Sequence, residues 1–435
     1  MKRAAHFVSL ACLVFCGGAG FAQSLAITGA TAYLRPGEPA IENATIIVVD
    51  GKVQAAGTHI VVPPGMRLID AKSRIVTPGL MNSASQLGLV ETGTADTKDS
   101  AVGAGIFGAS FDVQYALNPN STLLPVARAD GLTRAMILPV GSATPPFDGL
   151  GAVLVLNEGP EILDKPKAAV ATTVGGLTVP ASGGSRSAQW MLIRAALDAA
   201  RQSLRSLSQP VPIKQESDAG MLTLLSPRNV SALVPVMQRK VPLVITTNRE
   251  SDLRQAVALV DEYKIRVVII GADEGWRVAS LLASRKIPVV LDPYASTPAT
   301  YDQMGARLDN AALLDRAGVV ISFKAAFVHV SYNAGIAIRE GAGIAVANGL
   351  PWSHALAALT TNPAVTWGIE SHYGTLEPGK DADLVLWDGD PFEPSSAPAL
   401  VLIRGKQISL DTRQTELERR YHPSLSANPL PPGYR

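Results

Sequence analysis

Cysteine is almost absent from this sequence, and so is any surplus of charge. Of 435 residues two are cysteines, Cys12 and Cys16, and both fall in the first 22. The chain beyond them has no thiol, which excludes a disulfide framework, thiolate metal ligands and a cysteine nucleophile there. Lys and Arg number 38 against 37 Asp and Glu, a balance that calls for neither nucleic acid nor an anionic membrane as partner. The Gly-rich stretch "VGAGIFGAS" (102–110) does not follow a strand and open a helix, so it is no dinucleotide fingerprint and reads as a loop over a site. A GxSxG elbow is missing too. Past the N-terminal segment no run approaches the roughly 20 apolar residues of a spanning helix.

What is present begins with an export signal. Lys2 and Arg3 precede the apolar run "FVSLACLVFCGGAG", and "GFA" before Gln23 has small residues at its first and third places. Residues 1–22 are therefore expected to be a signal peptide. Its removal leaves 36 basic and 37 acidic side chains on an exported, periplasmic protein of a bacterium, with no membrane association after cleavage.

With 47% apolar and 17% charged residues the remainder has ample material for a core. "LAITGATAYL", "ATIIVVDGKVQAAG" and "MRLIDAKSRIV" alternate like strands, and "DADLVLWDGDP" and "ALVLIRGKQI" do so at the far end. The two ends are expected to pair as one β-sandwich, from 23–75 and 371–412. Between them "VPLVITT", "RVVIIG", "IPVVLDP" and "GVVISF" are short buried-strand candidates separated by helical stretches, the pattern of a parallel sheet covered by helices over 76–370. An open doubly wound sheet fits that periodicity nearly as well as a barrel. Trp190, Ile193, Leu197, Ala200 and Leu204 share one face of a predicted helix over 187–207. Residues 413–435 read as a tail.

The stretches "IDAKSRIVTPGLMNS", "LNPNSTLLPVARADGLTRAMILPVG", "GLPWSHALAALTTNPAVTWGI" and "GTLEPGKDADLVLWDGDP" resemble the amidohydrolase superfamily, in particular its secreted imidazolonepropionase-like branch. The resemblance implies a (β/α)8 TIM-type barrel with a β-sandwich built from both chain ends, and it decides between the two sheet types. It also implies hydrolysis of carbon–nitrogen bonds other than peptide bonds, at a metal site. Two histidines one residue apart after the "PGL" turn belong to that site, and here those places are Ala84 and Gln86. The fifth-strand and sixth-strand histidines correspond to Thr246 and Gly271, and the eighth-strand aspartate to Ala326. No Asp or Glu lies between Asp315 and Glu340, so shifting the alignment restores nothing, and Lys214 suits a bridging carbamate poorly.

Alanine and glycine side chains ligate nothing, and a glutamine amide is a poor zinc ligand. Of the other histidines, His59, His354, His372 and His422 read as surface or packing residues, and His329 alone follows a barrel strand. Glu91 and Asp96 read as solvated loop acids, and Asp273 and Glu274 as a helix cap. The resulting expectation is no metal, no cofactor and no catalytic residue of the family kind. In their place Lys324, two residues before Ala326, is expected to point into the barrel and meet Gln86, Thr246, and Asp273 or Asp292. Three roles follow: partner subunit of an active homologue or of a second copy, binder of a small molecule, or hydrolase with an unconventional site.

Overall fold

The structure is a computed structural model, and it describes residues 24–91, 99–103, 107–141, 146–176, 178–206, 224–325 and 334–422. The expected signal peptide, Asp96, Lys214, Ala326 and His329 lie outside these residues.

Two eight-stranded sheets organise the chain. The first joins the ends. β1 (Leu25–Ala32) pairs with β2 (Ile41–Val49), which pairs with β3 (Lys52–Gly57). The other edge of β1 is shared by β4 (Arg67–Asp70) and β5 (Ile75–Pro78). β5 continues through β14 (Leu384–Trp387) to β15 (Pro398–Ile403) and β16 (Lys406–Gln407). Leu25, Ile27, Ile46, Val76, Leu384 and Leu402 form its core. β5 straddles the boundary read between sandwich and barrel at 75/76, and the chain passes from one sheet to the other at Gly79. A Cβ there would meet the Thr133 hydroxyl at 2.2 Å, so only glycine allows the strands this approach.

The second sheet is the nearly closed barrel, in the order β6 (Leu80–Ser85), β7 (Leu132–Ile137), β8 (Phe147–Val155), β9 (Leu163–Thr173), β10 (Leu243–Thr247), β11 (Val267–Gly271), β12 (Val289–Leu291) and β13 (Ile321–Phe323). Asn82 Nδ2 donates to the Ala325 carbonyl at 3.0 Å across the seam between the first and last strands. The sheet is mixed, not parallel throughout. β8 runs antiparallel to both β7 and β9. "FDGLGAVLV" follows β7 with no helix among the described residues between them, and a hairpin needs none, whereas a parallel return requires a crossover.

Alternation sorts the strand residues into two layers. Met81, Met136, Val153, Ala169, Ala171, Val244, Val268, Ile270 and Val290 fill the barrel interior. Leu80, Ile137, Ile245, Ile269, Val289 and Phe323 face outward to the helices. Those helices include α1 (Leu123–Ala129), α2 (Arg186–Ser206), α3 (Pro227–Met237), α4 (Glu250–Tyr263), α5 (Ala279–Ser284) and α6 (Asn310–Arg316), with α7 (Ala334–Ala347), α8 (Trp352–Ala358) and α9 (Thr361–Trp367) completing the barrel; α10 (Arg413–Tyr421) occupies the tail segment. On α2, Trp190, Ile193, Leu197 and Ala200 are buried. No helix of the described residues is long and apolar enough to cross a membrane.

Trp367, Ile369 and Tyr373 close the lower end of the barrel. Beside them stands Arg134, fully buried, with Asp164 at 2.7 Å, Asp381 at 2.6 Å and Asp383 at 2.8 Å. The three carboxylates come from the β9 edge and from the turn leading into β14, so one guanidinium joins the two sheets. Burial alone would weaken its hold on the proton, and the three carboxylates overcome that and raise its pKa.

Asp130, half-buried at the end of α1, is not compensated in this way. Burial pushes the Asp130 carboxyl up to about 6, partly offset by Arg339 and by the Ile336 amide that donates to it at 3.2 Å. An acid whose folded pKa is raised from 3.8 to about 6 binds more protons folded than unfolded across that window, so stability falls as pH rises through it. At about 1.4 kcal/mol per unit the penalty above pH 6 is at most about 3 kcal/mol. Asp130→Asn is therefore expected to raise stability at pH 7.5 by about 1–2 kcal/mol and to change nothing at pH 3.5, which urea unfolding at the two pH values measures.

Candidate functional site

The barrel mouth lies at the C-terminal ends of the parallel strands, where such barrels carry their sites. Because β8 is reversed, it contributes its N-terminal end there. Asp148 sits at that end, 4% exposed, and accepts a 2.7 Å hydrogen bond from Thr173 Oγ1. Thr173 follows Ala171 on the inward face of β9 and pairs in register with Thr246 on β10. These side chains make a polar arc over the small interior residues Ala169 and Ala171. The sequence reading passed over Asp148, whose only trace is an acid opening a Gly-rich apolar run.

On the opposite side, Val290 is interior, so Asp292 two residues on faces the same way. Ser322 pairs in register with Val290, and Lys324 follows Ser322 on that face. The Lys324 ammonium lies 3.6 Å from Asp292 Oδ2, with side chains 16% and 12% exposed. Asp292 Oδ1 and the Ser83 and Ser322 hydroxyls are buried without a hydrogen-bond partner among the described residues. Asp273, after β11, accepts from Gln303 Nε2 at 2.8 Å. Burial raises the Asp273 carboxyl above its ordinary value. The Gln303 hydrogen bond and Lys324 oppose this, while Asp292 and Glu274 add to it. Asp292 is also raised by burial, against Lys324. One ammonium thus faces two acids that ionise reluctantly.

Of the partners expected for Lys324, Asp292 pairs with it and Asp273 lies within its electrostatic reach. Gln86 and Thr246 form no hydrogen bond with it. Glu274 caps α4, accepting from the Glu250 amide at 2.8 Å. Glu91 accepts from Asn118 Nδ2 at 3.1 Å and from the Thr122 amide at 3.3 Å, so it is a loop brace. His354 pairs with Asp315 at 2.9 Å and His372 with Asp164 at 3.1 Å, both far from the mouth along the chain's strands. "GAS" of the Gly-rich loop packs on α3, with the Gly108 and Ser110 amides donating to Asn229 Oδ1.

The positions that the resemblance assigns to metal ligands do not fit an ion. Ala84 lies in the interior cluster with a methyl group and no donor. Gly271 has φ +97°, and a Cβ there would stand 2.2 Å from Asn248 Oδ1. A histidine on that backbone would be strained and would need the Asn248 side chain to move. Among the described residues no group of three or more His, Cys, Asp or Glu is placed to share a metal ion. The group nearest the expected centre already contains a cation.

Comparison with known proteins agrees with this architecture. Residues 247–411 match the model of the amidohydrolase family. A stretch of 57 residues is 47% identical to amidohydrolase tasK of Hapsidospora irregularis, spanning 13% of this chain and only 6% of that protein. A dihydroorotase of Pelotomaculum thermopropionicum is 26% identical over 405 residues, 84% of this chain and 89% of its own. Among solved structures, an amidohydrolase from Thermotoga maritima superposes with a TM-score of 0.79 at 23% identity, over 88% of this chain and 99% of that one. At that identity the likeness is one of fold.

Proposed function

We propose that this chain is an exported amidohydrolase-family protein of the imidazolonepropionase-like branch that no longer uses a metal, and that it binds a small molecule at the barrel mouth. One observation carries the reading: the Lys324–Asp292 ion pair stands on the inner face of the last two strands, and Lys324 lies two residues before the position to which the resemblance assigns an acidic metal ligand. An ammonium there supplies a fixed positive pole without a divalent ion. It suits a carboxylate or carbonyl oxygen of the ligand, while Asp292, Asp273 and Asp148 suit its N–H groups. A small amide or amino-acid-type compound has both. The signal-like N-terminus supports a periplasmic location, and pairing with an active homologue or a second copy is a role open to such a protein.

Hydrolysis of a non-peptide carbon–nitrogen bond is the second reading, favoured by the match over residues 247–411 and by the hydrolase names of the similar proteins. Family hydrolysis relies on a cation to lower the pKa of water and polarise the carbonyl, and the donors described above do not fit one. The test is calorimetry with a panel of small amides and amino acids, following product formation in the same samples. Binding without turnover, lost in Lys324→Met/Asp292→Asn, is the expected result. Turnover would establish the hydrolase instead, and a panel that never binds would end the binding reading.

A further inference from the structure

The lower end of the barrel has a charge pattern that the near-zero net charge conceals. Three consecutive helices end there on a cation in the left-handed region: Arg239 after α3 (φ +60°), Lys264 after α4 (φ +57°) and Lys286 after α5 (φ +52°). Glycine is the usual residue at such a position, and a side chain there costs about 1 kcal/mol. The next unit follows the usual pattern, with Gly318 at φ +85° after α6. A cation beside a helix C-terminus recovers about 0.3–1 kcal/mol from the dipole. The two terms nearly cancel, so helix capping alone does not account for choosing cations three times in succession.

All three line one groove of about 510 Å³, together with Arg266 and Arg285. Its single carboxylate, Asp261, is taken by Arg285 at 2.7 Å. Arg239, Lys264, Arg266 and Lys286 form no ion pair among the described residues. Arg266 also acts inward: Lys165, which donates to the Trp367 carbonyl at 2.8 Å, is held below its ordinary pKa by burial and by Arg266, against Glu370 and Asp164. The floor between the cations is apolar, with Val320 41% and Val365 54% exposed. Like charges converging on one concavity repel unless an anion joins them, and guanidinium and ammonium groups together suit phosphate oxygens.

We propose that this groove binds a phosphate-bearing anion, with an apolar part of the ligand over Val320 and Val365. The site lies at the opposite end of the barrel from Lys324 and does not depend on the reading of the mouth. The test uses the full mature chain at low salt with two probes, inorganic pyrophosphate in calorimetry and phosphatidylglycerol vesicles in flotation, which separate a free phosphate from a lipid headgroup. The variant carries Arg239→Gly, Lys264→Gly and Lys286→Gly together, changes that suit the left-handed backbone. Binding of either probe, weakened at least tenfold in the variant while its unfolding midpoint stays unchanged or rises, is the expected result. Failure of wild type to bind either probe, or equal binding by the variant, would overturn the proposal. So would a variant that loses stability without wild type binding any anion, since the cations would then serve the helix ends alone.

Discussion

Arg134→Met is expected to destabilise the protein by about 4 kcal/mol or more at pH 7, a large share of the roughly 5–15 kcal/mol by which domains are stable. The substitution leaves Asp164, Asp381 and Asp383 buried with their central cation gone; the three carboxylates are 4%, 5% and 1% exposed. Lys52 at 2.5 Å from Asp381 and Arg404 at 2.6 Å from Asp164 remain, but both are about half exposed and screened by solvent. The pH dependence identifies the cause. In wild type Asp164 is lowered to about 2: burial would raise it, and the His372 hydrogen bond and Arg134 prevail. A depressed acid contributes stability above its unfolded pKa of 3.8, lost as pH falls toward 2. Without Arg134, Asp164 and Asp381 lose a cation that offsets their burial, so the deficit of the variant should shrink as pH drops from 7 to 4. Arg134→Lys, which keeps the charge but not the three-way fork, should fall between the two. A deficit under about 1 kcal/mol, or one independent of pH, would mean the outer cations suffice.

Lys324→Met is the second large effect, expected at about 2–3 kcal/mol at pH 7, less than a fully buried pair because some solvent reaches it. Methionine roughly preserves the stem volume while removing the charge, leaving Asp292 and Asp273 without the cation that opposes their burial. Their folded pKa values then rise further, so the loss should disappear below about pH 4. Adding Asp292→Asn should recover most of the stability at pH 7 by removing the stranded carboxylate. Ligand binding should stay lost in the double variant, which separates a functional role for the ammonium from a purely structural one. Full binding by the stable double variant would assign Lys324 to folding alone.

Much of this architecture is legible in the chain and some of it is not, for identifiable reasons. β10 to β13 announce themselves as short apolar runs because a sheet covered on both faces needs no polar alternation. The reversed β8 is hidden: "FDGLGAVLV" is diluted by glycines, and two of them are there for close approach, since a Cβ on Gly149 would meet the Phe111 carbonyl at 2.5 Å and one on Gly151 the Ile137 carbonyl at 2.7 Å. With β8 unseen, Asp148 was unseen as a mouth residue. The Arg134 cluster joins residues some 250 positions apart, beyond any local pattern. Ala84 and Gly271 are legible as departures from the pattern that the resemblance implies, but the positive φ of Gly271 and its closeness to Asn248 are not. Lys324 could be aimed inward from the period of its strand, while the choice of Asp292 over Gln86 needed the register of β12 and β13.

Metal content shows whether an ammonium has taken the place for which the family resemblance calls for a divalent ion. The mature protein would be purified without chelators and its zinc, manganese, iron and nickel measured per chain, before and after incubation with each metal. Far less than one metal per chain is expected, unchanged by supplementation and unchanged in Lys324→Met. A stoichiometric metal retained through gel filtration would contradict it and restore a metal-dependent hydrolase as the leading reading.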